Sequence, residues 1–211
     1  MAYPDFTLET AEAELAVTAR PGVLFPGLRP LPVPVWLQEL LGRGMRLALV
    51  SEKARSEFIV APILLAVREL CGERVAILSG QRLDVDPARR LVGECDFILA
   101  LSDPVPRLRA PLLTVVEAKK NDIDAGLGQC VAQMVAAQLY NERSGRALPA
   151  ISGCVTTGED WQFLRLVGSA LTIDQGRFYI DNVGGILAAM QAALQQAGVG
   201  PNQPPEPTGP A

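Results

Sequence analysis

The chain of 211 residues carries 19 basic and 23 acidic side chains, a formal net charge of −4, and no histidine. The acidic balance argues against a free-standing electrostatic grip on nucleic acid, and the missing histidine removes Ser-His and Cys-His nucleophile pairs and the usual zinc sites. No apolar run reaches the roughly 18 residues of a membrane span, and the acidic N-terminus is unlike a signal peptide.

Residues 1–46 read as an arm, with a short amphipathic helix near 7–17, a proline-rich stretch, "RPGVLFPGLRPLPVPVW", and a second short helix at 35–42. From residue 51 the pattern becomes regular. "SEKARSEFIVAPILLAVREL" predicts a helix capped by Ser51, with Pro62 kinking it or opening a fresh first turn. Strands are expected at 74–80, 91–101 and 110–120, then a helix over "AGLGQCVAQMVAAQLYNERSG" stopped by Gly145. Two strands at about 150–156 and 161–167, a strand near 171–180 and a helix at 184–197 complete a domain over 47–198. Residues 199–211 are rich in Pro and Gly and lack the apolar content to fold. Four well-separated cysteines, Cys71, Cys95, Cys130 and Cys154, suit buried reduced thiols and a cytoplasmic location. The order of elements is that of an α/β domain.

Neither a phosphate loop nor a dinucleotide fingerprint is present, so carboxylates, lysines and a hard metal ion are the tools left for chemistry. They gather in one place. "LLTVVEAKKND", residues 112–122, ends an apolar strand in Glu117, Lys119, Lys120 and Asp122. Glu-x-Lys alone arises by chance about once in a chain of this length, so its setting matters. A hairpin through the loop 102–110 pairs residues whose numbers add to about 213, setting Asp96 opposite Glu117. Alternation then puts Glu94, Asp96, Ile98 and Ala100 on one face, and Leu113, Val115, Glu117 and Lys119 on the matching one. Two acids among such apolar neighbours require a cation between them, supplied by a divalent metal or in part by Lys119. On the following helix, Leu127, Cys130, Val131, Met134 and Val135 form an apolar stripe, with Gln129, Gln133 and Tyr140 on the other side.

Asp96 on one strand, Glu117-Ala118-Lys119 at the end of the next, and flanking helices in the order αβββαβ resemble the PD-(D/E)XK nuclease superfamily. The likeness covers roughly 51–167, with Cys95 standing where the family has proline. It implies a restriction-endonuclease-like fold, a central mixed sheet flanked by helices, with the N-terminal arm added to it. It also implies Mg²⁺ or Mn²⁺ held by Asp96, Glu117, the Ala118 carbonyl and Glu57, with Lys119 acting on the attacking water and Gln129 supporting it. Glu57 is preferred to Glu52 because apolar Phe58 and Ile59 flank it. Lys120, Lys53 and Arg55 are candidates for contacts to a phosphate backbone, with a structural or solvated role as the alternative. For Gln133, a water-facing role and a substrate contact both stay open. The expected function is metal-dependent hydrolysis of phosphodiester bonds in nucleic acid, DNA first, by a homodimer or with a partner subunit supplying basic surface. The alternative is a nuclease-fold protein that no longer cleaves and serves as a binding or scaffold module.

Overall fold

The computed structural model describes residues 2–48, 50–102, 107–119 and 122–198; Lys120 and the tail at 199–211 lie outside them. The described residues form eight strands: β1 Thr18–Gly22, β2 Ala76–Arg82, β3 Glu94–Ala100, β4 Leu112–Ala118, β5 Ile151–Thr156, β6 Asp160–Val167, β7 Ala170–Asp174 and β8 Phe178–Tyr179. They make one sheet in the order β1-β7-β6-β5-β4-β3-β2, with β8 also paired to β6. β4 and β5 run parallel, as do β1 and β7, and the other pairs are antiparallel. The helices are α1 Leu8–Leu15, α2 Val35–Ala48, α3 Glu52–Arg55, α4 Ala61–Leu70, α5 Asp124–Arg143 and α6 Val183–Gln196. The protein is therefore an α/β fold built on a central mixed sheet with helices on both faces. Among the described residues no helix is long and apolar enough to cross a membrane.

The parallel pair β4/β5 fixes the position of α5, because parallel neighbours need a crossover and a helix is the usual one. One face of the sheet packs on α5 through Ile98, Val115, Cys130 and Met134, and Tyr3, Phe6 and Leu15 join the same core. The opposite core combines Leu37, Ile63, Phe97, Val116, Phe163 and Leu187, from the sheet and from α2, α4 and α6. All four cysteines are buried and unpaired.

Residues 2–46 are built into the domain rather than forming a detachable arm. Thr7 caps α1 by accepting from the Thr10 amide, and α1 lies on α5. Gly128 of α5 allows that approach: a Cβ there would stand 2.2 Å from the Thr7 carbonyl carbon. Where the arm was expected to pass from helix to proline-rich chain, "TARPG" adds β1 to the sheet edge beside β7, an edge position being where proline is tolerated. The helix expected to stop at 42 runs on to Ala48, past Gly42 and Gly44. Burial of Leu37, Leu41 and Ala48 outweighs the low helix propensity of those glycines.

The expected 51–70 helix forms in three pieces. Ser51 caps α3 by accepting from the Ala54 amide. A π-helical turn, Ser56–Val60, then leads into α4, where Pro62 occupies the first turn. Pro62 has no N–H to donate, and the widened turn before it accommodates that break in the ladder. The strand expected at 171–180 is divided into β7 and β8.

The hairpin register matches the expected sum: Phe97 pairs with Val116, Ile98 with Val115 and Leu99 with Thr114. A shift after Leu99 then pairs Ala100 with Leu112. That irregularity corrects one face assignment, because Leu113 packs in the α4 and α6 core, whereas Val115 packs against α5. Glu94 and Asp96 are corrected too: Cys95 joins Ile98 and Ala100 in the α5-side core, while Glu94 and Asp96 line a pocket with Phe97 and α3.

Candidate active site

The site lies where β3 and β4 part. Backbone pairing runs as far as Phe97 with Val116. One residue further, the Asp96 side chain replaces a backbone acceptor: its Oδ2 accepts from the Ala118 amide at 2.7 Å. On the other side of β3, pairing to β2 is recorded for Ser79 with Phe97 and for Gln81 with Cys95, with Gly80 and Asp96 between. Gly80 has a left-handed backbone, φ +61°, which glycine adopts without steric penalty. Asp96 therefore sits at a break in the sheet, in a pocket of about 460 Å³ whose lining includes Glu52, Glu57, Ser79, Gly80 and Glu94.

Glu117 lies on the α5 side and is only 2 % exposed. Both of its oxygens are held: Oε1 accepts from Lys119 Nζ at 2.8 Å, and Oε2 from Gln133 Nε2 at 2.8 Å. The same ammonium donates to Gln129 Oε1 at 2.8 Å. Gln129 and Gln133 are four residues apart and so project from one face of α5. Gly126, one turn earlier, completes that face. A Cβ there would stand 2.6 Å from Val155 Cγ1 and 3.0 Å from Lys119 Cγ. Only a bare backbone lets α5 settle on the lysine stem.

Electrostatics follow from burial. Removal from water pushes the Glu117 carboxyl up to about 7, and the charge of Asp96 pushes in the same direction. The ammonium of Lys119 and the Gln133 amide pull it down without cancelling that rise. Asp96 is likewise raised by burial, against the lowering effect of the Ala118 N–H and Lys119. For Lys119, burial favours the neutral amine, but the Glu117 carboxylate outweighs it and holds the proton on. Two carboxyls that resist ionising together, with one lysine bonded to Glu117, make a site short of positive charge.

Asp96, Glu117, Lys119, Gln129 and Gln133 are thus brought together, with Ala118 tied to Asp96 through its backbone. Gln133 is fully buried, because the glutamine side of α5 turns toward the sheet, where it meets Glu117, rather than to water. It holds Glu117 and is out of reach of a substrate. Glu57 stands across the pocket, 54 % exposed and 3.9 Å from Lys53. Glu52 acts more directly, since its charge bears on both Asp96 and Lys119. Lys53 stays at the exposed rim. Arg55 does not: its guanidinium is turned inward, donating to the Thr157 carbonyl at 2.9 Å and to Glu159 at 3.3 Å. Lys120 lies outside the described residues. Gly126 belongs to this group without being part of the acid–lysine motif, and its signal in the sequence is a glycine three residues before Gln129, inside a helix.

The oxygens gathered here are hard ones, the carboxylates of Asp96 and Glu117. Each Glu117 oxygen accepts one hydrogen bond here and has a further lone pair. Gln133 Oε1, buried beside them, has no hydrogen-bond partner. Such a set suits a hard divalent cation better than a soft one. No family model matches the chain, and no curated protein matches it.

Proposed function

We propose that the protein is a metal-dependent nuclease of the PD-(D/E)XK type, hydrolysing phosphodiester bonds with DNA as the first substrate to test. The observation that carries this reading is the Lys119 ammonium held 2.8 Å from both Glu117 and Gln129, next to a second buried acid, Asp96. A strand end left to solvent has no reason to bury two acids and clamp a lysine between a carboxylate and an amide. Asp96, Glu117 and the Ala118 carbonyl would hold Mg²⁺ or Mn²⁺, with Glu52 or Glu57 on the facing helical segment. Bound there, the ion would act as a Lewis acid toward a phosphoryl oxygen and lower the pKa of its water.

The protein's own residues account for the rest. Lys119 directs its remaining N–H toward the nucleophile or the developing negative charge. Gln129 fixes the direction of that ammonium, and Gln133 fixes the Glu117 carboxylate. Buried, unpaired thiols accord with a reducing, cytoplasmic setting.

One observation favours the second reading, a nuclease-fold binding module. Glu52, Glu57 and Glu94 line the pocket beside Asp96, and such a rim repels a phosphate backbone unless a cation or a partner neutralises it. Incubation with supercoiled, linear and single-stranded DNA in Mg²⁺ or Mn²⁺, with EDTA as control, separates the two. The nuclease reading expects cleavage that EDTA and Glu117→Gln both abolish. Intact DNA in every condition would leave only the binding module.

A further inference from the structure

At the other end of β4 the charge pattern is reversed. Arg107, Arg109 and Arg146 line one open depression of about 400 Å³ with Leu108, Tyr140 and Ser144, and no acid is among its described lining residues. Most basic side chains elsewhere lie near an acid, as in Arg55 with Glu159, Arg68 with Glu73, Arg82 with Asp84 and Arg177 with Asp124. None of these three makes an ion pair to a described residue. In a protein of net charge −4, three like charges sharing one depression repel one another, and an anion bound among them would relieve that repulsion.

The arginines also stand on a fixed base. Asn141, buried on the last turn of α5, accepts from the Leu112 amide at 2.7 Å and donates to the Leu112 carbonyl at 2.8 Å. Its neighbour Tyr140 donates its hydroxyl to the Leu108 carbonyl at 3.0 Å, between the two arginines of that segment. The Arg146 amide donates to the Asn141 carbonyl at 2.8 Å. Both sides of the depression are therefore tied to the same turn of helix. Arg107 and Arg109, two residues apart, project to the same side if the segment is extended.

We propose that this depression binds phosphate groups, taken either from a nucleic-acid strand or from a small phosphate ester. Guanidinium groups are the side chains best shaped for that anion, pairing two N–H donors with two phosphate oxygens. The site is separate from the acid pair, since the length of β4, about 20 Å, lies between them. It stands whether or not Glu117 and Lys119 catalyse hydrolysis.

The test is carried out in EDTA on the full chain, its Arg107→Gln/Arg109→Gln/Arg146→Gln variant, the corresponding triple lysine variant, and Glu117→Gln as a control. Fluorescence anisotropy with a labelled single-stranded oligonucleotide at several salt concentrations measures strand binding, and thermal stabilisation by inorganic phosphate measures the small anion. For a strand ligand, the glutamine variant should bind at least tenfold more weakly. Its log–log salt slope should be shallower by about 2, as expected for three lost phosphate contacts at roughly 0.7 each. The lysine variant should keep the slope and lose affinity, while Glu117→Gln should bind like the parent. For a small phosphate ester, inorganic phosphate should raise the melting temperature of the parent but not of the glutamine variant, with strand binding equal in both. If circular dichroism shows the glutamine variant folded, and strand binding and phosphate stabilisation both match the parent, the proposal is overturned.

Discussion

The two ends of the β4–α5 unit treat charge in opposite ways. At the C-terminal end of β4, Glu117 is buried and each of its oxygens is bonded, to Lys119 and to Gln133. At the N-terminal end, Arg107, Arg109 and Arg146 are exposed around an open depression. The same helix organises both: Gly126, Gln129 and Gln133 press on the acid end, while Tyr140 and Asn141 clamp the basic end. Burial is what separates them. A desolvated charge interacts strongly with its neighbours and can serve chemistry, whereas a solvated one is screened and serves recognition. Changes at the acid end should therefore cost much in rate or stability, and changes at the basic end should cost little except in binding.

The largest effect belongs to Lys119. Lys119→Ala should lower the single-turnover cleavage rate by about 10²–10⁴ at saturating Mg²⁺. Metal binding should be retained or strengthened, because a nearby positive charge is gone. Cleavage at the parental rate would make Lys119 a strand-end charge like those at the other end of β4.

Next comes the pH dependence of stability in EDTA. Glu117 titrates near 7 in the folded chain against 4.5 as its ordinary value. Between those values the folded state holds more protons than the unfolded one, so stability falls as pH rises through this window and levels off above it. The loss should be about 3 kcal/mol, with Asp96 adding in the same direction. Urea unfolding from pH 4.5 to 8 would measure it, and Glu117→Gln should flatten most of the slope. An equally steep profile in that variant would show that the buried charge lies elsewhere.

Gly126→Ala should cost roughly 1–3 kcal/mol by overpacking against Val155. Val155→Ala in the same chain should recover stability, yet leave cleavage slow, because the added methyl still presses on Lys119. Recovery of both together would make Gly126 a packing residue alone. The smallest effect is expected at the basic end, where Arg146→Gln should leave unfolding stability within about 0.5 kcal/mol of the parent. A larger loss there would mean that the arginine supports the fold.

Much of this was legible in the sequence, for physical reasons that can be named. The pairing around Asp96 and Glu117 was readable because two neighbouring apolar runs joined by one loop can be paired about its centre, as the pairing of Phe97 with Val116 shows. What escaped depended on contacts between segments far apart in the chain. The burial of Gln133 comes from its side of α5 lying on β4, where its amide meets Glu117, a contact that no local pattern on α5 reveals. Leu113 changed faces because of one irregularity after Leu99. Arg55 turned inward to meet Glu159, more than a hundred residues away. Glu57 and Glu52 differ by little more than a helical turn, and the π-helical turn before Pro62 alters the spacing by which local reasoning would choose between them. The cluster at Arg107, Arg109 and Arg146 joins a loop before β4 to the end of α5, so it exists only once the crossover has formed.

The account stands most directly on whether Asp96 and Glu117 hold a divalent cation. Isothermal titration of Mn²⁺ into the parent, Glu117→Gln and Lys119→Ala decides it. A binding site is expected in the parent, its loss or severe weakening in Glu117→Gln, and its retention in Lys119→Ala. Identical titrations in the parent and Glu117→Gln, with both proteins folded, would contradict it.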